Sequence, residues 1–249
     1  MKKMITACAL MMVCATSSFA DSMKLNMGTE GAYAPFNYID ENGKVAGFDI
    51  DIGNEVCKRM HADCTWKTNE WDTIIPNLIA GNYDTIAAGM SITDERKKTI
   101  SFTEEYYPPT ASKFATRAGK SWHFDHLSGV TIGVQGGTVQ AAYAEEKFAA
   151  NNTIKSYETG EQSLADLAAG AVDIVLADGD FLNPAVEASA GALIFVGSDL
   201  RIGGGMGIGL RKNDSELLMK MNKALAAAKA DGTVDKLLMK YFNIGPFYQ

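Results

Sequence analysis

Histidine, cysteine and long apolar runs are all scarce in this 249-residue sequence, and each scarcity argues against a class of protein. No segment after residue 20 is apolar enough to predict a membrane-spanning helix. The three histidines form no Ser-His-Asp or Cys-His arrangement, so nucleophilic catalysis is not indicated. His123 and His126 have helical spacing, but a surface pair of this kind is more often solvated than metal-bound. The sequence therefore predicts no metal, no cofactor and no catalytic residue.

Two glycine-rich segments lack the residues that would make them nucleotide sites. The segment "VQGGTVQ" (134–140) has no lysine after its glycines, which excludes a P-loop. The segment "GGGMGIG" (203–209) lacks the dinucleotide-binding spacing and is predicted to be a glycine-rich strand. Neither segment indicates a nucleotide cofactor.

The first twenty residues are predicted to be a signal peptide. Lys2 and Lys3 precede an apolar stretch over 5–13, and Ser18-Phe19-Ala20 forms a small-x-small cleavage site. The mature chain is expected to begin at Asp21 and to be exported. A lipid-anchored form, through a lipobox-like sequence ending at Cys8, stays open as an alternative.

Basic runs are also lacking. Lys2 and Lys3 are the only charged residues of residues 1–20, so 23 basic residues become 21 against 30 acidic ones, and the net charge changes from −7 to −9. A chain this acidic is a poor binder of nucleic acid and of anionic lipid.

Only two cysteines, Cys57 and Cys64, remain after the signal peptide. An isolated pair in an oxidising compartment predicts a disulfide, here between a helix and the strand that follows it. Two free buried thiols are the alternative.

The mature chain alternates short strands with helices, which predicts an α/β fold of mostly parallel sheets flanked by helices. Among these elements, 49–60 and 71–82 are predicted helices and 83–89 is a predicted strand. At the start of the first helix, Asp49 and Asp51 are expected to satisfy free amides, and Ile52, Val56 and Met60 form one apolar stripe that faces a core.

The segments 76–89 and 165–178 both have a helix, an Ala-Gly turn, an aspartate and an apolar strand, as equivalent pieces of two lobes would. Adjacent prolines in "YYPPTA" (106–111) mark the predicted hinge. The predicted organisation is a first lobe over 21–109, a second lobe over 110–196 and a return segment to the first lobe over 197–249.

Several motifs resemble those of the family-3 extracellular solute-binding proteins, the periplasmic receptors of polar amino-acid ABC importers. They are "EGAYAPFNY", "GFDIDIGNEVCKRM", "WDTIIPNLIAGNYDTI", "GMSITDER", "IGVQGGT", "LADGD" and "DGTVDKLLMKYF". The resemblance covers essentially the whole mature chain and is greatest to the lysine/arginine/ornithine, arginine and histidine receptors. It implies a two-lobed periplasmic binding protein that works as a monomer with an inner-membrane permease and is not an enzyme.

Residues after the first-lobe strand and in the second lobe have the chemistry to hold an amino-acid backbone. Ser91 begins a helical turn with free amides, and Arg96 can offer a bidentate fork to a carboxylate. Thr138 begins a helix after two glycines, and Asp178 ends an apolar strand, either as a helix N-cap or as a cation ligand. The resemblance implies that Arg96, Ser91 and Thr138 hold the α-carboxylate, and that Asp178 and the Gly89 carbonyl hold the α-ammonium.

Four further residues are implied to contact the ligand side chain. From its position alone, Glu30 is more simply a solvated loop acid, but the cationic receptors carry an acid there that faces the ligand's distal amine or guanidinium. Tyr33 and Trp71 match ring positions flanking the side chain, with ordinary core aromatics as the alternative. Gln135 adds a polar contact.

The predicted function is binding of a cationic L-amino acid, arginine first, then lysine, ornithine or histidine. An opine, which is an arginine conjugate, is the second candidate ligand, because Trp71 and the small run Ala87-Ala88-Gly89 resemble opine receptors. A periplasmic cyclohexadienyl dehydratase of the same fold is the enzymatic alternative, with Glu30 as its candidate general acid.

Overall fold

The structure, a computed structural model, describes residues 22–248, so the predicted signal peptide and its alternative anchor at Cys8 lie outside the described residues. The strands are β1 (Lys24–Thr29), β2 (Ala32–Tyr33), β3 (Asn37–Ile39), β4 (Val45–Ala46), β5 (Asp63–Thr68), β6 (Thr85–Ile86), β7 (Ile100–Tyr107), β8 (Ser112–Arg117), β9 (Thr131–Gln135), β10 (Thr153–Tyr157), β11 (Ile174–Asp178), β12 (Leu193–Leu200) and β13 (Met206–Arg211). The helices are α1 (Phe48–Arg59), α2 (Trp71–Ile79), α3 (Asp94–Thr99), α4 (Val139–Phe148), α5 (Gly160–Ala169), α6 (Gly179–Ala188), α7 (Ser215–Ala230) and α8 (Thr233–Phe242).

The first of two five-stranded sheets has the order β5-β1-β6-β13-β7. Strands β5, β1 and β6 are parallel, whereas β13 runs antiparallel to both of its neighbours. The chain leaves this sheet after β7 and returns with β13, so the sheet is completed by residues from both ends of the described chain.

The second sheet has the order β10-β9-β11-β8-β12 and is built from the segment between those two strands. Strands β10, β9 and β11 are parallel, and β8 runs antiparallel to β11 and β12. The chain passes between the sheets at 108–111 and again at 201–205. Strand β12 continues to Leu200, beyond the expected lobe boundary at 196–197, and the exact division into lobes stays a prediction.

Helix α1 packs on the first sheet through the apolar stripe that its sequence predicts. Ile52 and Val56 are buried, and Met60, just after the helix, packs beside them. The helix begins after Gly47, whose φ is 120°, and a Cβ there would lie 2.4 Å from the Phe36 carbonyl oxygen. Glycine is therefore required at this turn.

The expectation that Asp49 satisfies free amides at the start of α1 is wrong. No side chain caps this helix. The Asp49 carboxylate is buried and accepts hydrogen bonds from the Asn37 amide (2.9 Å) and the Tyr106 hydroxyl (2.6 Å). Those partners come from β3 and β7, which sequence periodicity does not bring together.

Cys57 and Cys64 form the predicted disulfide, which joins α1 to β5. The alternative of two free thiols is therefore wrong. The bridge connects a buried helix residue to an edge strand of the first sheet.

Two predicted elements are shorter than expected. The strand predicted over 83–89 is confined to Thr85–Ile86, and the helix predicted over 71–82 ends at Ile79. The chain turns after β6, where Gly89 has a φ of 59°, so the following residues leave the sheet and line a cavity. A small antiparallel sheet, β2-β3-β4, was not predicted. Within residues 22–248, no helix has both the length and the apolar character needed to cross a membrane.

Candidate functional site

One cavity between the two sheets contains all nine residues predicted to bind ligand. The space between its lining atoms is about 300 Å³, part of which is open to solvent. The lining residues are Glu30, Tyr33, Trp71, Ala88, Gly89, Ser91, Arg96, Gln135, Thr138, Val139, Gln140 and Asp178. The first seven belong to the first-sheet side, and the last five belong to the second-sheet side.

Arg96 is placed by the turn that starts α3. The Thr93 hydroxyl accepts a hydrogen bond from the Arg96 backbone N–H (3.1 Å), which caps the helix. The guanidinium donates to the Ser91 carbonyl oxygen (2.9 Å) and, across the cavity, to the Gly137 carbonyl oxygen (3.2 Å). Among the described residues, no carboxylate lies within 4 Å of it. Burial lowers the pKa of Arg96 to about 10, and Asp178 acts in the opposite direction, so the group is cationic at neutral pH.

Thr138 faces Arg96's side of the cavity from the second sheet. Its hydroxyl caps α4 by accepting from the Ala141 backbone N–H (3.1 Å), and it donates to the Gln135 carbonyl oxygen (2.7 Å). Gly137 precedes it with a φ of 64°. Thr138 and the first two residues of this ten-residue helix line the cavity, and the start of a helix suits an anion.

Asp178 ends β11 and occupies the N-cap position of α6, but its side chain does not cap that helix. Its two oxygens accept hydrogen bonds from the Tyr33 hydroxyl and from the Gln140 amide, each at 2.8 Å. Burial raises the pKa of Asp178 to about 6; Asp180 raises it further, while Tyr33, Gln140 and Arg96 lower it. The group is therefore a carboxylate at neutral pH that faces the cavity, as a cation ligand would.

Gly89 and Ala88 form the opposite wall, beyond β6. Ala88 is buried. Gly89 has a positive φ, and a Cβ added to it would lie 3.5 Å from the Tyr33 ring. The wall therefore presents backbone and one methyl group, and no hydroxyl.

Glu30 follows β1 and is only 9% exposed, so the interpretation of a solvated loop acid is wrong. It accepts a hydrogen bond from the Gln135 amide (2.6 Å), which also donates to the Glu158 carbonyl oxygen (3.1 Å). Burial raises the pKa of Glu30 to about 7; the Gln135 bond lowers it, and Glu161 and Asp72 raise it. Within residues 22–248, no lysine or arginine forms an ion pair with Glu30.

Two aromatic rings complete the cavity. Tyr33 stacks on Phe181 of α6, with ring centres 4.2 Å apart and planes 3° from parallel. Trp71 begins α2, and the Arg96 guanidinium lies 5.2 Å from the centre of its ring. Both rings are largely buried, but both border the cavity, so they are more than core aromatics.

Sequence reasoning missed two lining residues, Val139 and Gln140, and included Ala88 only as part of the small run beside Gly89. Gln140 matters most, because its amide joins Asp178 to the Ser112 hydroxyl (2.9 Å). Its position two residues after Thr138, in the first turn of α4, indicates that it lies near the site, but which way its side chain faces depends on packing.

Comparison with known proteins agrees with this geometry. Residues 25–244 match the family described as bacterial extracellular solute-binding proteins, family 3. The chain is 38% identical over 264 residues to the lysine/arginine/ornithine-binding periplasmic protein of Escherichia coli, and the alignment covers 99% of each chain.

Two solved structures are similar throughout. A periplasmic binding protein of the His/Glu/Gln/Arg/opine family from Silicibacter pomeroyi, in complex with lysine, has a TM-score of 0.84 and 45% identity, covering 90% of this chain and 100% of that one. A Salmonella typhimurium periplasmic binding protein described for high arginine specificity has a TM-score of 0.84 and 30% identity, covering 89% and 100%.

These relatives are named as binding proteins, and they are periplasmic. The predicted two-lobed α/β fold and the predicted periplasmic location are confirmed. The motifs quoted from the sequence identified the correct family, and the chain belongs to the bacterial extracellular solute-binding proteins, family 3.

Proposed function

We propose that this protein is the receptor of an ABC importer and binds a cationic L-amino acid, arginine first, then lysine, ornithine or histidine. The observation that carries the proposal is Glu30, a buried carboxylate in the cavity with a neutral amide as its hydrogen-bond partner. A buried carboxylate is costly unless a cation accompanies it, and a ligand guanidinium or ammonium would supply that cation. The names of the relatives, which include lysine, arginine and ornithine, support the same class.

Arg96 and Asp178 would hold the amino-acid backbone from opposite sides. The guanidinium lacks a carboxylate partner among the described side chains, so the ligand's α-carboxylate would complete it, assisted by Ser91 and by the amide of Thr138. Asp178 and the carbonyl of Gly89 would accept the α-ammonium. Because the two charges come from different sheets, a ligand that joins them would also join the two sides of the cavity.

The ligand side chain would then extend toward Glu30, between Tyr33 and Trp71. A planar guanidinium can donate two parallel hydrogen bonds to a carboxylate and can also lie on an aromatic face. Lysine and ornithine would make one charge-assisted bond in the same place, which is why arginine is placed first.

The experiment is a thermal-shift screen over the amino acids, followed by calorimetry on the wild type and Glu30→Gln. Glu30→Gln keeps the shape and removes the charge, so arginine should weaken by about 1.5–3 kcal/mol while glutamine is unchanged or improves. Glu41→Gln, at an exposed position, is the matched control and should bind both ligands as the wild type does. Equal losses for arginine and glutamine would show that Glu30 serves the loop and not the ligand.

An opine is the second candidate, because the Ala88-Gly89 wall carries no side chain beyond a methyl group. Octopine and related arginine conjugates belong in the same screen. If a conjugate binds more tightly than arginine, the proposed ligand becomes an opine.

The enzymatic alternative needs a proton donor in the cavity, and Glu30, with its raised pKa, is the candidate that the sequence indicates. Turnover of prephenate or arogenate by the wild type would establish it. We expect no turnover, and we expect the receptor to act as a monomer with an inner-membrane permease.

A further inference from the structure

Asp49 is a buried ionisable group that lies outside the ligand cavity. Its side chain has no exposed surface, and it sits in the first turn of α1. No lysine or arginine among the described residues pairs with it, and its direct side-chain partners, Asn37 and Tyr106, are neutral. A buried carboxylate with neutral donors costs folding free energy that an apolar residue would not. Stability therefore does not explain why an acid occupies this position.

The contacts of Asp49 lead to the Glu30 end of the cavity. The Asn37 side chain donates through its amide Nδ2 to Asp49, and its side-chain oxygen Oδ1 accepts from the backbone N–H of Gly31 (2.7 Å). Gly31 directly follows Glu30 and has a φ of 82°. Two hydrogen bonds thus connect the buried carboxylate to the turn that aims the Glu30 side chain.

The same carboxylate reaches two further parts of the molecule. Its second oxygen accepts from the Tyr106 hydroxyl, and Tyr106 is the second-to-last residue of β7, just before the chain passes to the second sheet. The backbone of Gly89 also interacts with Asp49 and lowers its pKa. The neighbouring Tyr107 donates to Asp180 of α6 (2.6 Å), so the segment held by Asp49 is itself bonded across the two sheets.

We propose that Asp49 is a positioning residue, which through Asn37 fixes the Glu30 turn and through Tyr106 fixes the end of β7, where the chain crosses to the second sheet, in the geometry that receives the ligand. It touches no ligand itself. Its effect on the side-chain end of the cavity passes through Asn37. Its effect on the backbone end passes through Tyr106 and the neighbouring Tyr107, which is bonded to Asp180, two residues after Asp178. This proposal rests on the proposed function, since its readout is the binding of a cationic amino acid.

The experiment measures arginine and glutamine affinities in a set of single variants. Asp49→Ala removes the acceptor for all partners and should weaken both ligands by about tenfold or more. Asn37→Ala removes the bonds to Asp49 and to Gly31 but leaves the Tyr106–Asp49 bond in place, so arginine should weaken about tenfold while glutamine changes less than about threefold. Asp49→Asn should keep most of the affinity that Asp49→Ala loses. Its side-chain oxygen can accept from Asn37, and its amide NH2 can donate to the Tyr106 hydroxyl.

Val56→Ala is the matched control, because Val56 is buried in the same helix and lies outside this network. At an equal loss of Tm it should leave both affinities near those of the wild type. If Asp49→Ala does not fold, Asn37→Ala and Tyr106→Phe decide the question.

Two results would overturn the positioning role: Val56→Ala weakening arginine as much as Asp49→Ala, or Asn37→Ala lowering arginine and glutamine by the same factor. A wild type that binds glutamine but not arginine would instead refute the proposed function. A wild type that binds arginine, with Asn37→Ala equal to it, would refute the positioning role alone.

Discussion

The two sheets arrange equivalent strands in the same spatial order, but the connection from a helix to the edge strand that follows it is held differently in each. In each sheet, three parallel strands are followed by an antiparallel strand from beyond a chain crossing. In the first sheet the Cys57–Cys64 disulfide joins α1 to the edge strand β5. In the second, the equivalent connection from α4 to β10 is held by Asn152, whose amide donates to Leu127 and Phe148 carbonyl oxygens (2.9 and 3.0 Å) and whose oxygen accepts from the Val130 N–H (3.1 Å). The same helix-to-edge-strand connection is thus held by a covalent bond in one sheet and by hydrogen bonds in the other.

The ends of equivalent strands also meet across the cavity with different chemistry. Glu30 follows β1 and Gln135 ends the equivalent β9, and the two side chains share a hydrogen bond. Gly89 follows β6 and Asp178 ends the equivalent β11. Each pair combines one acidic and one neutral group, so a ligand cation at either end would meet one carboxylate from the pair.

The largest expected effect comes from removing the charges that would hold the amino-acid backbone. Arg96→Ala and Asp178→Ala should each cost about 2–5 kcal/mol of binding for every ligand alike, because the remaining charge is left desolvated. Calorimetry with arginine and glutamine measures this, and Lys97→Ala, at an exposed position on α3, is the control. If either variant binds its ligands within twofold of the wild-type affinity, that residue does not bind the amino-acid backbone.

The disulfide should matter for stability and not for binding. Replacing both cysteines by serine should lower the free energy of unfolding by about 2–3 kcal/mol, because a short loop in the unfolded chain is no longer closed. Denaturant unfolding measures the loss, and reductant should have no effect on the double variant. Arginine affinity should stay unchanged, since neither cysteine lines the cavity. A weaker arginine affinity in the double variant would show that the disulfide at the edge of the first sheet also influences the cavity.

The two carboxylates of the cavity should respond to different pH ranges. Glu30 has a pKa of about 7, so arginine affinity should fall as pH decreases below 7, by up to about tenfold per pH unit. Asp178 has a pKa of about 6, so its protonation at lower pH should weaken the binding of every ligand. The ratio of arginine to glutamine affinity therefore isolates Glu30, and it should be independent of pH in Glu30→Gln.

The stability of the unliganded protein should change with pH in the opposite direction. The folded-state pKa of Glu30 lies above its unfolded value, so the folded protein binds more protons near neutrality and loses stability as pH rises through 7. A stability that rises there, after the same measurement on Glu30→Gln is subtracted, would contradict the assignment.

The smallest effect concerns the hydrogen-bonded connection of the second sheet. Asn152→Ala should lower the free energy of unfolding by about 1–2 kcal/mol, less than loss of the disulfide, because backbone groups lose their partners but water can replace some of them. Asn151→Ala is the control, since its side chain makes none of these bonds. A loss larger than that of the double cysteine variant would reverse the order of the two connections.

Much of this molecule follows from local sequence, and the remainder depends on distant contacts. The apolar runs and their alternation predicted the sheets and helices, and the motifs around Arg96 and Asp178 predicted one cavity. Asp49 was misassigned because its partner Tyr106 lies 57 residues away and no periodicity reports that contact. Gln140 was missed because the rotation of a helix relative to a cavity depends on packing, which the sequence of α4 does not reveal.

Trp71 gives the molecule an internal optical reporter. It is the one of the three tryptophans that borders the cavity, whereas the indole N–H groups of Trp66 and Trp122 are bonded elsewhere, to Asn54 and Thr116. Its ring carries the Arg96 guanidinium on one face, so a carboxylate drawn to that cation would alter the electric field at the indole. With Trp66 and Trp122 replaced by phenylalanine, the emission of a single unlabelled side chain would record occupancy in real time.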